Sequence, residues 1–305
     1  MNILLVVNKT LQNGEKKWDD GAYGNLYVPL KELGHNVYFY DTVDPEERDF
    51  DKIVDNFKPD LIYCCMTGDP SLTPHEPWEG IIKQTEKGNC KTFNWFCDDA
   101  WRFETFSSRV CSLFHVCSTP EVHYIEKFKE IGYSNILLGF WHTNADLYPK
   151  KNTKKLDISF CGMMNYDRKY YIDYLKNNNV DIKNFHGIPR EEMLSLISES
   201  KLGINFSKNY NARPPVLQMK GRMVEIPAAN ALLFTEYAPG IENHFEIDKE
   251  IITFKTADEM LKKVNFLLKK PKLIEKITQN GYRRFIKDHD SKVRLASILE
   301  SITSL

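Results

Sequence analysis

The sequence predicts an α/β protein built from two doubly wound parallel sheets. Three observations carry that expectation. Short apolar runs alternate with amphipathic stretches along most of the 305 residues, the pattern of repeated strand–helix units. The apolar runs are continuous rather than alternating, as strands buried on both faces require. The alternation breaks once, in the charged stretch PKKNTKK at 149–155, and then restarts. That stretch reads as a linker and divides the chain into a first domain over 1–150 and a second beginning at 151. The repeat is architectural, with no sequence period.

In the first domain the strands are expected at 2–7, 36–40, 61–66, 92–96, 114–117 and 136–138. Each is a run of apolar or β-branched residues bounded by turn formers. A long polar loop, TLQNGEKKWDDGAYGN, follows the first strand. Helices fit between the strands at 26–33, closed by Gly34, at 50–57, ending before Pro59, at 78–86, and at 120–131, closed by Gly132.

Ligands of such sheets bind beyond the carboxyl ends of the strands, so three loops stand out here. The loop after the first strand holds Gly14, Gly21 and Gly24, which let backbone approach a ligand; it lacks the GxGxxG spacing, and a generic loop fits equally well. The loop after the fourth strand reads FNWFCDDAWRF. Asp98 and Asp99 there suit general-base work, or one of them caps the next helix and pairs with Arg102. The loop after the sixth strand carries His142 within GFWHTN. With an ordinary pKa of ~6.5 it suits proton donation or substrate binding, and equally a hydrogen-bonded structural role.

In the second domain, strands are expected at 156–161, 182–185, 202–206, 231–235 and 251–254, with helices at 166–175 and 190–198 and amphipathic helices from about Asp258 onward. The first of these strands ends at Gly162, and Arg168 falls in the first turn of the helix that follows. The stretch 220–240, KGRMVEIPAANALLFTEYAPG, is the most informative in the chain. Lys220, Gly221 and Arg222 form a basic loop leading into a short helix that carries Glu225. Pro227 is tolerated chiefly in a helix's first turn, which keeps the two cations near the helix start. Cations at a helix N-terminus suit phosphate, and a carboxylate one turn on suits a pair of sugar hydroxyls. The chemistry expected is that of a nucleotide-sugar site. The competing reading of Arg222 and Glu225 is an i,i+3 surface ion pair, worth ~0.2–0.5 kcal/mol.

Bulk composition narrows the function classes. The chain is 42% hydrophobic and 27% charged with a formal net charge of −1, which disfavours nucleic acid as a partner. No apolar run approaches the ~20 residues that span a bilayer, so no membrane span is expected. Seven cysteines without a CxxC pair suit reduced thiols of a cytoplasmic protein better than disulfides or zinc.

The segments ISFCGMMNYDRKYYIDYL, ESKLGINFS, ARPPVLQMKGRMVEIPAANALLFTEYAPGIENHF, KEIITFKTADEM and GYRRFIKDHDSKVR resemble the spore-maturation CgeB-like glycosyltransferases, which carry a glycosyltransferase family 1 type C-terminal domain. FNWFCDDAWRF and GFWHTNADLY in the first half are also similar to that family. The resemblance covers most of the chain and is densest over 157–294. It implies the GT-B architecture, two Rossmann-like domains facing a cleft. Residues 1–150 would then serve the acceptor and 151–280 the donor, with helices over 281–305 crossing back to the first domain. It implies metal-independent transfer of a sugar from a nucleotide diphosphate sugar to a hydroxyl of a glycan, lipid, protein or small molecule. No cofactor beyond that co-substrate is expected, and no metal.

Residue by residue, the resemblance implies that Glu225 binds the ribose hydroxyls, Lys220 and Arg222 meet the diphosphate, Gly162 allows close backbone approach and Arg168 is a further phosphate ligand. The chain departs from the family's relatives at one position. Retaining enzymes carry a glutamate eight residues before the ribose-binding one, and here that position is Leu217. Two other outcomes share the cleft: a nucleotide-sugar epimerase, which needs no acceptor, and a non-catalytic nucleotide- or sugar-binding protein.

Overall fold

A computed structural model describes residues 1–13, 16–19, 21–150 and 153–305. Gly14 and part of the 149–155 stretch fall outside them. The described residues form two compact units, Met1–Phe140 together with Ser291–Leu305, and Trp141–Asp290.

The first unit holds a six-stranded sheet. Its strands are β1 (Asn2–Val7), β4 (Asn36–Asp41), β5 (Leu61–Cys64), β6 (Lys91–Trp95), β7 (Val116–Thr119) and β8 (Ile136–Leu138). They lie side by side in the order β4-β1-β5-β6-β7-β8, every pair parallel. Ile3, Leu4 and Leu5 are fully buried in succession, so β1 is covered on both faces as its apolar run predicts. The fifth strand of the chain's alternation starts later than expected. Phe114 donates its N–H to Cys111 O, which holds it in the preceding turn and delays strand pairing to Val116. The polar loop after β1 contains two short antiparallel strands, β2 (Thr10–Asn13) and β3 (Lys16–Asp19). Sequence alone reads that segment as a loop because Leu11 and Trp18 stand singly among polar residues and form no apolar run.

The second unit holds a five-stranded parallel sheet in the order β10-β9-β11-β14-β15: β9 (Leu156–Cys161), β10 (Ile182–Phe185), β11 (Ser200–Asn205), β14 (Leu232–Glu236) and β15 (Ile252–Phe254). A small antiparallel pair, β12 (Lys208–Asn209) with β13 (Val216–Leu217), lies in the loop after β11. In each large sheet the second strand lies on one side of the first and the third on the other. The order therefore reverses beside β1 in one sheet and beside β9 in the other, and the crevice at such a reversal is where doubly wound sheets take ligands.

The unit boundaries fall at 140 and 290 rather than at 150 and 280. The 141–148 segment is held within the second unit, where Thr143 bridges Asp290 and Ala145 donates its N–H to Asp290 Oδ2 at 3.0 Å. The Pro271–Asp288 helix packs on the Arg222–Ala228 helix and on β14, so it too belongs there. Only the Ser291–Ser304 helix joins the first unit. Its Leu295, Ile298, Leu299 and Ile302 are buried, it packs on the Val28–Glu32 helix, and Lys292 pairs with Glu32 at 2.9 Å. No helix among the described residues is long and apolar enough to cross a membrane.

Candidate functional site

At the carboxyl ends of β9 and β11, beside the reversal of strand order, the second unit opens a cavity of about 300 Å³. Gly162, Arg168, Lys220, Gly221, Arg222 and Glu225 all line it, with Phe160, Cys161, Asn205 and Phe206. The structure thus brings together every residue that the sequence singles out for the nucleotide and diphosphate, from segments some sixty residues apart.

The helix carrying Glu225 runs from Arg222 to Ala228 and ends quickly. Pro227 lies inside it, and Asn230 follows in the left-handed region at φ 52°, a conformation asparagine tolerates at helix ends. The helix lies close over β11 because Gly203 has no side chain. A Cβ there would meet Ile226 at 2.8 Å. Gly221 is constrained in the same way: its missing Cβ leaves room for the Trp141 ring, which would lie 3.3 Å from it. Trp141 is held in place by its indole N–H, which donates to Met219 O at 3.2 Å. At Gly162 a Cβ would press on the Phe160 ring at 3.0 Å.

The charges are arranged around one carboxylate. Glu225 pairs with Arg222 on its own helix through Oε2 and with Arg190 through Oε1 at 3.3 Å. All three side chains are largely buried, with 12–22% exposed. The i,i+3 pair that the sequence offered as an alternative is therefore present, but inside a cavity and with a second guanidinium, where it is screened less than on a surface. A carboxylate has about four acceptor positions, so two arginine partners leave capacity for hydroxyl donors. The Lys220 ammonium donates to Phe206 O and Lys208 O, both at 2.9 Å. Arg168 donates from one terminal nitrogen to Met163 O at 3.1 Å, while its Nε is buried without a hydrogen-bond partner among the described residues. Burial lowers the Arg168 pKa, and the carboxylate of Glu236 opposes that shift. Burial likewise pushes the Cys161 thiol up to about 11, so it lines the cavity as a neutral group. Tyr148, bonded to Thr143 Oγ1 at 3.0 Å, is raised by burial first and by the Glu225 charge second. Three cationic side chains, Arg168, Lys220 and Arg222, therefore line the cavity with one carboxylate, Glu225, which Arg190 also pairs, a charge pattern complementary to a polyanion bearing a diol.

The three residues offered for catalysis are placed differently. His142 is buried in the second unit, 5% exposed, and is not among the residues lining the cavity. Asp98 and Asp99 belong to the first unit and begin the short Asp99–Arg102 helix. Asp98 caps that helix with its backbone carbonyl, which accepts from Trp101 and Arg102 N–H, and its side chain is partly exposed. Arg102 donates to Thr67 O. Asp99 is fully buried, with the Ser107 and Thr119 hydroxyls near it. Burial pushes its carboxyl up to about 6, the neighbouring Asp98 adds to the rise, and the hydroxyls and Arg102 oppose it. Of the two carboxylates, only Asp98 is open to solvent.

A pH dependence follows from Asp99. Its folded pKa lies above the ordinary carboxylate value, so the folded state holds its proton more tightly than the unfolded chain does. The resulting stability is complete below about 4 and is lost as pH rises through about 6. At pH 7.5 the buried charge costs on the order of 3 kcal/mol, counting ~1.4 kcal/mol for each unit between the ordinary 3.8 and about 6. Asp99→Asn is expected to raise the thermal midpoint at pH 7.5 and to give no gain at pH 4. A lower midpoint at both pH values would refute the cost assigned to this carboxylate.

Sequence reasoning missed Asn205 in the cavity lining, and Arg190 and Trp141 as the residues that pack on Glu225 and Gly221. Arg190 begins its helix, Asn205 ends β11, and Trp141 comes from 80 residues before Gly221. Of these, only Asn205 had a usable signal, its place at a strand's carboxyl end. Leu217, where related enzymes have a glutamate, sits in β13 with 39% of its surface exposed.

Residues 147–300 match the model of a family described as glycosyl transferase-like. No curated protein matches the sequence. Among solved structures, a glycosyltransferase from Rickettsia africae ESF-5 is similar at 12% identity and a TM-score of 0.65, covering 99% of this chain and 98% of that one. Anabaena HepE in complex with UDP and glucose is similar at 11% identity and 0.65, covering 100% of both chains. Sucrose-phosphate synthase from Thermosynechococcus elongatus is similar at 10% identity and 0.63, over 100% and 99% of the two chains. At such identities the likeness concerns the fold, which is the GT-B fold that the resemblance implied.

Proposed function

The chain belongs to the glycosyl transferase-like family, and from that premise we propose that it moves a sugar, a hexose, from a nucleotide diphosphate sugar to a hydroxyl acceptor without a metal ion. We place it in the CgeB-like branch of the family on the sequence segments that resemble it. One observation carries the donor assignment: Gly162, Arg168, Lys220, Gly221, Arg222 and Glu225 line a single cavity at the reversal of strand order.

In this reading the bond between the anomeric carbon and the diphosphate oxygen breaks while the acceptor oxygen bonds to that carbon. Negative charge grows on the leaving diphosphate. Lys220, Arg168 and Arg222 are already held by backbone carbonyls or by Glu225, so they stabilise that charge with little reorganisation. Glu225 accepts from the ribose hydroxyls. Asp98 takes the acceptor's proton if the configuration inverts.

A thermal-shift screen against UDP, GDP, TDP and their sugars tests the donor reading. UDP comes first because a protein of similar fold was solved with UDP-glucose. A ligand at about 100 times its Kd adds ~2.7 kcal/mol to the stability of the folded state, so one base should raise the melting temperature. The shift should survive EDTA. No shift with any nucleotide would overturn the assignment, and a shift that EDTA abolishes would overturn metal independence. Epimerised donor without transfer to any acceptor would point to an epimerase, and binding without turnover to a non-catalytic protein.

A further inference from the structure

Five of the seven cysteines, Cys64, Cys90, Cys111, Cys117 and Cys161, are buried. Burial raises the thiol pKa of each of them, which leaves them protonated and unreactive. The remaining two, Cys65 and Cys97, are both partly exposed, and they are neighbours, with their sulfurs 3.5 Å apart. Cys65 directly follows β5, and Cys97 follows β6 by one residue, so both sit at the carboxyl edge of the first unit's sheet. Alternation along the two strands puts them on the face that carries Tyr63 and Trp95. Tyr63 is fully buried, and its hydroxyl has no hydrogen-bond partner among the described residues. Burial raises the Tyr63 pKa most, and the charges of Cys65 and Cys97 add to it.

We propose that Cys65 and Cys97 form a reversible dithiol–disulfide pair, a redox modification site that the rest of the fold shields from the other thiols. A disulfide has its sulfurs about 2.05 Å apart, so closing the pair from 3.5 Å brings the sulfurs together by about 1.5 Å. The oxidant is a small disulfide such as oxidised glutathione. One thiolate attacks it, forming a mixed disulfide and releasing one reduced glutathione. The second protein thiolate then displaces the other. The two cysteine sulfurs are oxidised, two glutathione thiols are formed, and the two protons leaving the protein end on them. The bond ties the chain after β5, whose Thr67 carbonyl accepts from Arg102, to the chain after β6, where Asp98 follows Cys97 directly. It would fix the approach to the candidate base.

The test does not depend on transferase activity. The folded protein is incubated with oxidised glutathione, and its remaining thiols are blocked before digestion. The intact mass is expected to fall by two hydrogens, with one cross-linked pair of peptides containing Cys65 and Cys97, and dithiothreitol should reverse both changes. Cys65→Ser and Cys97→Ser should each abolish the cross-link, and Cys90→Ser should leave it. Separate glutathione adducts on the two cysteines, a cross-link to a third one, or no modification of the folded wild-type protein would overturn the proposal. Because peptide mapping is done on the wild-type chain, a variant that fails to fold does not obscure the outcome.

Discussion

Replacing Arg222 with alanine is expected to lower turnover by about two to three orders of magnitude, the usual loss when a preorganised donor to a developing oxyanion is removed. The structure separates that effect from a stability effect. Arg222 is one of two partners of Glu225, and Arg190 stays 3.3 Å from the other carboxylate oxygen when Arg222 is gone. The buried carboxylate therefore keeps a counter-charge, and the large penalty for an unpaired buried ion does not arise. The helix keeps its packing as well, because Ile226 over Gly203 carries it rather than Arg222. Steady-state kinetics with the donor found by the screen, together with a melting curve, decide the matter. A large fall in melting temperature with near-normal turnover would mean that the Arg222–Glu225 pair serves the fold.

Glu225→Ala should weaken binding of the nucleoside diphosphate by ~1–3 kcal/mol, about 5- to 150-fold, through the ribose contacts it leaves unmade. The geometry adds a second expectation that sequence could not supply. Glu225 neutralises Arg190 and Arg222 at once. Without it the cavity-lining Arg222 loses its carboxylate partner, so inorganic pyrophosphate should bind the variant at least as tightly as it binds the wild type. Calorimetry with the two ligands reads both effects. Equal affinity of wild type and variant for the nucleoside diphosphate, in a protein that is still folded, would sink the ribose assignment. A parallel loss for pyrophosphate would instead mean that Glu225 organises the arginines and does not touch the ribose.

Much of the candidate donor site was legible because its parts lie close together in sequence. Lys220, Gly221, Arg222 and Glu225 fall within six residues, and the short helix with Pro227 in it orients them locally. Gly162 and Arg168 were legible because a strand's carboxyl end and the first turn of the next helix are where such sheets take ligands. The catalytic candidates were less legible. Adjacent aspartates look alike in sequence, yet Asp99 is fully buried while Asp98 is partly exposed, because the Asp99–Arg102 helix turns successive side chains to different surroundings. His142 had the right chemistry and lies buried outside the cavity lining.

What the sequence by itself determined is what depends on near neighbours along the chain: the parallel strands, the helices between them, the two-sheet α/β class and the basic loop ahead of Glu225. Tertiary structure alone decided which distant groups meet. It set Arg190 against Glu225, laid Trp141 on Gly221, fitted Ile226 over Gly203 and brought Cys65 beside Cys97. It also moved the unit boundaries to 140 and 290 by joining Thr143 and Ala145 to Asp290. The reason is physical. Periodicity and propensity act over a turn of helix or a few residues of strand, whereas burial and charge pairing are set by whichever segments the strand order places side by side.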